Sequence, residues 1–351
     1  MRHVTFIEGK ARFVSATEVD VAGQTYTSDR FIIATGSSPF IPAIRGLGTL
    51  TYLTNAEALR LRTLPTSLII IGGGAVALEF AQLYSRLGTR VCLLQRSTHV
   101  LRREEPELTD LLIKYLRVEG IDIHTDANVT DARPNGNQAI ITAVVKGVKQ
   151  TFNAELVLLA TGRRPNIDGL GLDKNGVKIG NEGEIVVNNE MKAATRVWAA
   201  GDVTGEPMLE PVAAKQGWIA ATNALSTKGA LKMDYRVTPH AIFTDPQLAS
   251  VGVTEQQAKS RRLSYRCAIV SLREVAKAKV INDRRGAIKM LIEKETHKII
   301  GIHMLAPHAS DLLHEGVMIV KCEMTAEEVV DTLHIFPTLS EVIKQSARSL
   351  L

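Results

Sequence analysis

Hydrophobic and polar residues follow two rhythms along this chain. Short runs alternate and predict strands with one wet face, while unbroken apolar runs predict strands buried on both faces. Val4-Thr5-Phe6-Ile7, Ala11 to Val14, Thr17 to Val21 and Gln24-Thr25-Tyr26 are of the first kind. They predict an antiparallel meander running from His3 to Tyr26, with turns at Gly9-Lys10 and Ala22-Gly23. Arg30-Phe31-Ile32-Ile33 then enters Ala34-Thr35-Gly36, a buried strand broken by a glycine. Residues 37–48, rich in Pro and Gly, read as a connection.

Thr54 to Leu59 reads as a short capped helix. The four consecutive apolar residues Leu68 to Ile71 predict a strand buried on both faces, and a helical pattern starts at Val76. A second strand is expected at Arg90 to Leu94, a helix at Asp110 to Glu119 and a third strand at Ile121 to His124. The helix shows Leu111, Leu112, Tyr115 and Leu116 on one face. Another meander spans 129–153, and Leu156 to Leu159 runs into Ala160-Thr161-Gly162. A strand ending in Ala-Thr-Gly thus occurs twice, each time after a meander, which implies two related dinucleotide domains.

Val197-Trp198-Ala199-Ala200 stops at Gly201-Asp202, where an aimed carboxylate can accept hydroxyl hydrogen bonds from a polyol. A helix over Val212 to Asn223 follows, its start lined by Ala213 and Ala214. From about residue 233 the pattern becomes α+β. Strands are expected near 241–244, 248–252, 265–270, 287–292 and 299–304, with helices at 254–261, 309–321 and 325–332 covering one side.

The turn after Ile71 carries the first chemistry. Gly72 permits a sharp turn, Gly74 leaves room for a pyrophosphate, and Ala77 lets helix and strand pack closely. The helix N-terminus offers free N–H groups to phosphates. Sites that prefer NAD close the second strand with Asp or Glu, whereas this chain has Gln95, then Arg96, Arg102 and Arg103. Guanidinium groups pair with a 2′-phosphate, so NADPH is the expected cofactor.

Length, charge and cysteine narrow the picture further. The 351 residues are 45% hydrophobic and 23% charged, an ordinary globular balance that is too long for one core. The net charge of +5 is spread along the chain without a basic stripe, which argues against a nucleic-acid partner. With no eighteen-residue apolar run and no secretory h-region after Met1, neither membrane insertion nor export is expected, and the default location is cytoplasmic. Cys92, Cys267 and Cys322 have neither disulfide nor zinc spacing, so no metal site is expected and each reads as a small core hydrophobe.

Taken in order, these motifs resemble the flavoprotein pyridine nucleotide–disulfide oxidoreductases. The resemblance rests on Ala34-Thr35-Gly36, Gly72-x-Gly74-x-x-Ala77-x-Glu79, Ala160-Thr161-Gly162-Arg163-x-Pro165-Asn166, Gly201-Asp202 and Phe243-Thr244-Asp245-Pro246. It implies an α/β fold in which a Rossmann-like NAD(P)H domain (49–166) is inserted between parts of an FAD-type domain (1–48 and 167–232). A C-terminal α+β dimerisation domain (233–351) follows, and the partner it implies is a second copy of the chain. The carried-over roles place Gly201 at the flavin, Asp202 on its ribityl chain and the turn of Pro211, Val212, Ala213 and Ala214 by its isoalloxazine, and count Ala34, Thr35, Gly36 and Gly162 among the cofactor-binding residues. Glu79 is implied near the nicotinamide, and Arg96 and Arg102 match the arginines that select NADPH. Ala75 stands where some members have a gating tyrosine.

Thr54-Asn55-Ala56-Glu57-Ala58-Leu59, Ala77 to Gln82 with Arg86-Leu87-Gly88, and Phe243-Thr244-Asp245-Pro246-Gln247 resemble, within that family, the mercuric reductases most. Disulfide reductases carry a His-x-His-Pro-Thr-x-x-Glu motif whose second His is the acid–base catalyst; this chain reads His334-Ile335-Phe336-Pro337-Thr338-Leu339-Ser340-Glu341. Phe336 cannot carry a proton, which favours a metal-ion substrate over a disulfide. Glu341 is the retained member of that pair. Members also begin with an FAD fingerprint and a Cys-x4-Cys redox pair, and this sequence starts downstream of both, so weak FAD retention is expected. The resemblance leaves three activities open: a mercury(II) reductase-like enzyme, a dihydrolipoyl dehydrogenase-like or other disulfide reductase, and a non-catalytic NADPH-binding and dimerisation module. Ile335-Phe336 and Val342-Ile343 are the apolar surface expected at a dimer contact.

Overall fold

All five residues of the strand Ser67–Ile71 are buried, as an unbroken apolar run demands of a strand covered on both faces. The computed structural model describes residues 4–226 and 230–351, so the predicted start of the meander at His3 lies outside the described residues. The chain divides into two compact units, Met1–Phe40 with Arg163–Tyr235, and Ile41–Gly162 with Arg236–Leu351.

Ser67–Ile71 lies at the centre of a five-stranded parallel sheet in the second unit. The order is Tyr52–Leu53, Leu156–Leu159, Ser67–Ile71, Arg90–Leu94, Asp122–His124. Leu68 and Ile70 pack with Leu78 and Phe80 of the helix Ala75–Arg86 and with Leu112 and Leu116 of the helix Pro106–Val118. Ile69 and Ile71 face the opposite way, onto an antiparallel ribbon of Ala127–Asn135, Gln138–Val145 and Val148–Ala154. The alternation of side chains along one strand therefore feeds two separate cores. The second helix begins a turn earlier than its apolar stripe suggests, because Pro106 at its start needs no N–H partner.

The same unit holds a five-stranded antiparallel sheet ordered His240–Ile242, Gln247–Gly252, Ile299–Ala306, Ala287–Glu293, Tyr265–Ser271. The helices Ala309–Lys321 and Ala326–Asp331 were expected there, but Ala276–Val280 and Glu341–Arg348 were not. The last of these corrects the expected contact surface. Val342 and Ile343 are 1% and 0% exposed and join Ala347 in the core, because a helix brings positions one turn apart to one face. Ile335 and Phe336 do lie on the surface, at 79% and 71% exposure.

The first unit pairs Phe31–Ile33 in parallel with Val197–Ala199, which in turn pairs with Lys192–Ala194. A meander of Ala11–Phe13, Glu18–Val21 and Gln24–Thr27 and the helix Glu210–Leu225 complete it. Val4 to Ile7 form no strand: Val4, Phe6 and Ile7 are exposed, and alternation without a partner strand stabilises nothing. The connection after Gly36 contains a short strand, Ser37–Pro39, paired antiparallel with Arg163–Pro165. No helix among the described residues is long and apolar enough to cross a membrane.

Candidate functional site

The glycine turn keeps the shape its sequence demands. Gly72 has φ 127°, and a Cβ there would lie 2.1 Å from the Ala160 carbonyl oxygen, so only glycine fits without distortion. A Cβ on Gly74 would meet nothing within 4 Å. Gly74 caps the helix Ala75–Arg86 without a side-chain hydrogen bond, which leaves the first N–H groups open toward that space. Ala77 is fully buried where the helix meets the sheet. Open space above uncapped N–H donors is the arrangement a pyrophosphate requires, and the turn fits one.

Beyond the second strand, Gln95 takes no part in a carboxylate-type site. Its Nε2 donates to Ser97 Oγ at 2.6 Å and to the His99 carbonyl at 3.1 Å. Arg96 and Arg102 are exposed and make no ion pair among the described residues. The segment carrying them is tied to the glycine turn, since the Leu101 N–H donates to the Gly73 carbonyl at 2.8 Å. Leu101, next to Arg102, and Gln95, next to Arg96, thus both lie against Gly73 in the turn before the helix Ala75–Arg86. Glu79 lies one turn further along that helix. Its Oε1 accepts the Phe243 N–H at 2.9 Å, and burial pushes its carboxyl above the usual range despite that bond.

The first unit holds a second polar cluster. Gly201 has φ 80° and its Cα hydrogen faces Ala213, since an added Cβ would lie 3.5 Å from the Ala213 Cβ. The Gly201-Asp202 turn therefore abuts the start of the helix Glu210–Leu225. Asp202 Oδ2 accepts the Ser37 hydroxyl at 2.6 Å, and Ser37 Oγ accepts Arg163 Nε–H at 2.6 Å. Thr35 Oγ1 donates to the Asn166 carbonyl at 2.7 Å, and Asn166 Nδ2 returns a bond to the Thr35 carbonyl at 2.9 Å. Of the predicted residues at the helix start, Pro211 is exposed and Ala213 half-buried, but the Val212 side chain is 5% exposed and belongs to the core. Only its backbone remains to meet a ligand. A half-buried carboxylate beside a helix start fits the hydroxylated chain of a flavin, while this unit shows no second strand–glycine–helix turn for a pyrophosphate among its described residues.

At the far end, Glu341 has no imidazole beside it among the described residues. Among the described residues its carboxylate accepts only the Thr338 N–H, at 3.4 Å. His334 turns inward instead, with Nε2 2.8 Å from Glu315 Oε1. The cysteines depart from the expected core role in two of three cases, because Cys267 and Cys322 are exposed. Cys92 is half-buried, and its thiol lies with Asp122 and His124 so that their donor atoms are all within 4.8 Å. Burial and the Asp122 carboxylate push that thiol up to about 12, and His124 Nε2 is 2.8 Å from Asp122 Oδ2. The Cys92 thiol therefore stays protonated, beside an Asp122 carboxylate that also meets the His124 ring.

Sequence reasoning missed Ser37 and the set formed by the buried Glu105 and Lys289 with the partly buried Glu104 and His240. The only local signal was Glu104-Glu105-Pro106, an acidic pair before an N1 proline.

The pyridine nucleotide-disulphide oxidoreductase family model matches residues 1–217, and that family's dimerisation domain matches residues 238–347. Mercuric reductase of Staphylococcus aureus is 36% identical over 342 residues, covering 97% of this chain and 62% of the relative. Mercuric reductase of Streptomyces lividans is 38% identical over 98% of this chain and 73% of its own length. Dihydrolipoyl dehydrogenase of Geobacillus stearothermophilus is 34% identical over 99% of this chain and 74% of its own. The chain thus spans about 62% of the length of some mercuric reductases it matches. Among solved structures, the HOCl-induced flavoprotein disulfide reductase RclA of Escherichia coli aligns with TM-score 0.86 at 26% identity, over 97% of this chain and 78% of that one. LpdA of Mycobacterium tuberculosis aligns with TM-score 0.87 at 29% identity, over 98% and 77%. Two family matches in tandem and relatives above 30% identity across nearly the whole sequence place this chain in the pyridine nucleotide-disulphide oxidoreductase family.

Proposed function

We propose that this chain belongs to an NADPH-dependent flavoprotein oxidoreductase whose substrate is thiol-bound mercury(II). Gly72, Gly74 and Ala77 would hold the NADPH pyrophosphate, and Arg96 and Arg102 its 2′-phosphate. Asp202 would accept hydroxyls of the flavin chain, beside Gly201, Ala213 and the start of the helix at Glu210. Bound together, the two cofactors supply a hydride equivalent and carry its two electrons to the acceptor. Glu79, held by the Phe243 N–H, would order the space near the nicotinamide.

The observation that carries the substrate reading is Phe336. Reducing a disulfide to two thiols consumes two protons, and a side chain that delivers or removes them lowers the barrier. Reducing thiol-bound Hg(II) places two electrons on the metal, breaks both Hg–S bonds and releases Hg(0) with two thiolates, which take their protons from solvent rather than from a catalytic side chain. Phe336 is exposed, and Glu341 has no imidazole to orient. An acceptor that takes its electrons on the metal, with no side chain placed to protonate a departing sulfur, suits that arrangement.

A disulfide acceptor is the second reading, supported by the 34% identity to dihydrolipoyl dehydrogenase over 99% of this chain. In the third, the chain is a module that binds NADPH and dimerises without an acceptor. The purified protein decides among them. Visible absorbance with chromatography of the released cofactor reports FAD, and NADPH oxidation is then followed with Hg(II) in excess thiol and with oxidised lipoamide. Mercury-dependent oxidation with release of Hg(0) supports the proposal. Lipoamide turnover in its place overturns it, and NADPH binding with neither activity leaves the module reading.

A further inference from the structure

The segment that carries Arg102 is fastened at both ends. On one side the Leu101 N–H donates to the Gly73 carbonyl at 2.8 Å. Leu101 itself has φ 46° and is 8% exposed, a left-handed conformation that a branched residue keeps only when its surroundings dictate it. The Glu104 N–H closes a turn onto the Leu101 carbonyl at 2.8 Å, so Arg102 and Arg103 occupy the two central positions of that turn.

On the other side the fastening comes from the antiparallel sheet of the same unit. Glu104 Oε1 lies 2.6 Å from His240 Nε2, and its Oε2 accepts the Ser250 hydroxyl at 2.7 Å. His240 and Ser250 face each other on adjacent strands. Glu105 Oε2 accepts from Lys289 Nζ at 2.8 Å, both side chains being 1% exposed, and its Oε1 accepts the Glu255 N–H at 2.6 Å. Lys289 is also bound by Glu107 and Glu255, at 2.9 and 2.6 Å. A hydrophobic contact tolerates sliding, whereas buried charge-assisted bonds fix which atoms meet.

We propose that Glu104 and Glu105 are positioning residues through which the antiparallel sheet sets the cofactor preference of the glycine turn, by holding the Arg102 turn over the 2′-phosphate position. The inference rests on the reading that Arg96 and Arg102 receive that phosphate. Bonds to Gly73 from one end and to the sheet from the other fix the backbone from which the Arg102 side chain projects. Loosening the sheet end frees the turn without touching the pyrophosphate site.

The test is calorimetric titration of the purified protein with 2′,5′-ADP and with 5′-AMP, which differ by the 2′-phosphate, alongside thermal melting. Ser250→Ala and Glu104→Gln are each expected to weaken 2′,5′-ADP at least fivefold while 5′-AMP changes by less than twofold. Ser250→Thr, which keeps the hydroxyl, is expected to retain the parental ratio. Equal weakening of both ligands, or no change in either, overturns the proposal and makes the cluster structural only. Arg102→Ala separates the two layers. If it leaves the ratio unchanged, the arginine reading itself fails and the inference goes with it. If it abolishes the ratio while Ser250→Ala and Glu104→Gln do not, the positioning role alone fails.

Discussion

Two neighbouring glycines, Gly72 and Gly74, stand in the same turn for different reasons, and substitution separates them. At Gly72 an added methyl group meets the Ala160 carbonyl oxygen at 2.1 Å, on a backbone with φ 127°. Gly72→Ala is expected to cost about 2–5 kcal/mol through overlap and left-handed strain, seen as a lowered melting temperature. At Gly74 the methyl group enters open space on an ordinary backbone, with φ −85°. Gly74→Ala is expected to melt within a few degrees of the parent and to weaken NADP(H) about tenfold or more, because the methyl occupies the pyrophosphate's place. Calorimetric titration and thermal melting of both variants check the pair of statements; a Gly74→Ala protein that binds normally would remove the turn from the cofactor site. The turn was legible in the sequence because each of its demands is local: a strand, a break and a helix within a dozen residues.

The helix that starts at Glu255 shows what an element's end can do at a distance. Its Thr254 cap and Gln257 form a capping box, which the sequence announces. The role of Glu255 in its first turn is not announced, since its carboxylate meets Lys259 on its own helix and Lys289 from another strand. Those two cations, with Lys259 the larger influence, hold the Glu255 carboxyl down to about 2. A carboxyl lowered on folding contributes stability above its ordinary value near 4.5, and that contribution disappears as pH falls toward 2. Glu255→Gln is therefore expected to lower the urea midpoint at neutral pH and to flatten the acid limb between about pH 4.5 and 2, where the curves of parent and variant converge. Parallel curves across that range would show that the ion pairs contribute nothing. Elements built on a clean apolar period were readable, such as the helix Ala309–Lys321. The strand Ser37–Pro39 was not, because two serines and a proline carry no strand period and the pairing with Arg163–Pro165 comes from residues far along the chain. Val4 to Ile7 failed in the opposite direction, having the period but no partner.

At the scale of the whole molecule, the order of motifs revealed the family, whereas the fastening of the Arg102 turn could not be read, since Lys289 reaches Glu105 across 184 positions. Assembly is subject to the same limit. The family's dimerisation domain covers residues 238–347, yet the sequence offered two apolar pairs near its end with no way to rank them. Burial ranks them. Ile343 is fully buried beside Val342 and Ala347, whereas Leu333, Ile335 and Phe336 are 95%, 79% and 71% exposed on one short segment. Three large apolar side chains exposed to water within four residues are stabilised by a partner surface. If a second copy covers them, Ile335→Asp removes apolar burial worth about 1.5–3 kcal/mol per protomer and places a charge in the contact, weakening dimerisation at least tenfold. The isolated protomer is expected to keep its circular dichroism, because nothing in its own core is touched. Ile343→Asp puts an unpaired carboxylate at a fully buried position and is expected to unfold the antiparallel sheet whatever the oligomeric state. Sedimentation velocity across a concentration series, read beside circular dichroism, distinguishes the two. A dimer that survives Ile335→Asp would assign the contact to another face, and a folded Ile343→Asp would mean that this helix is not part of the core.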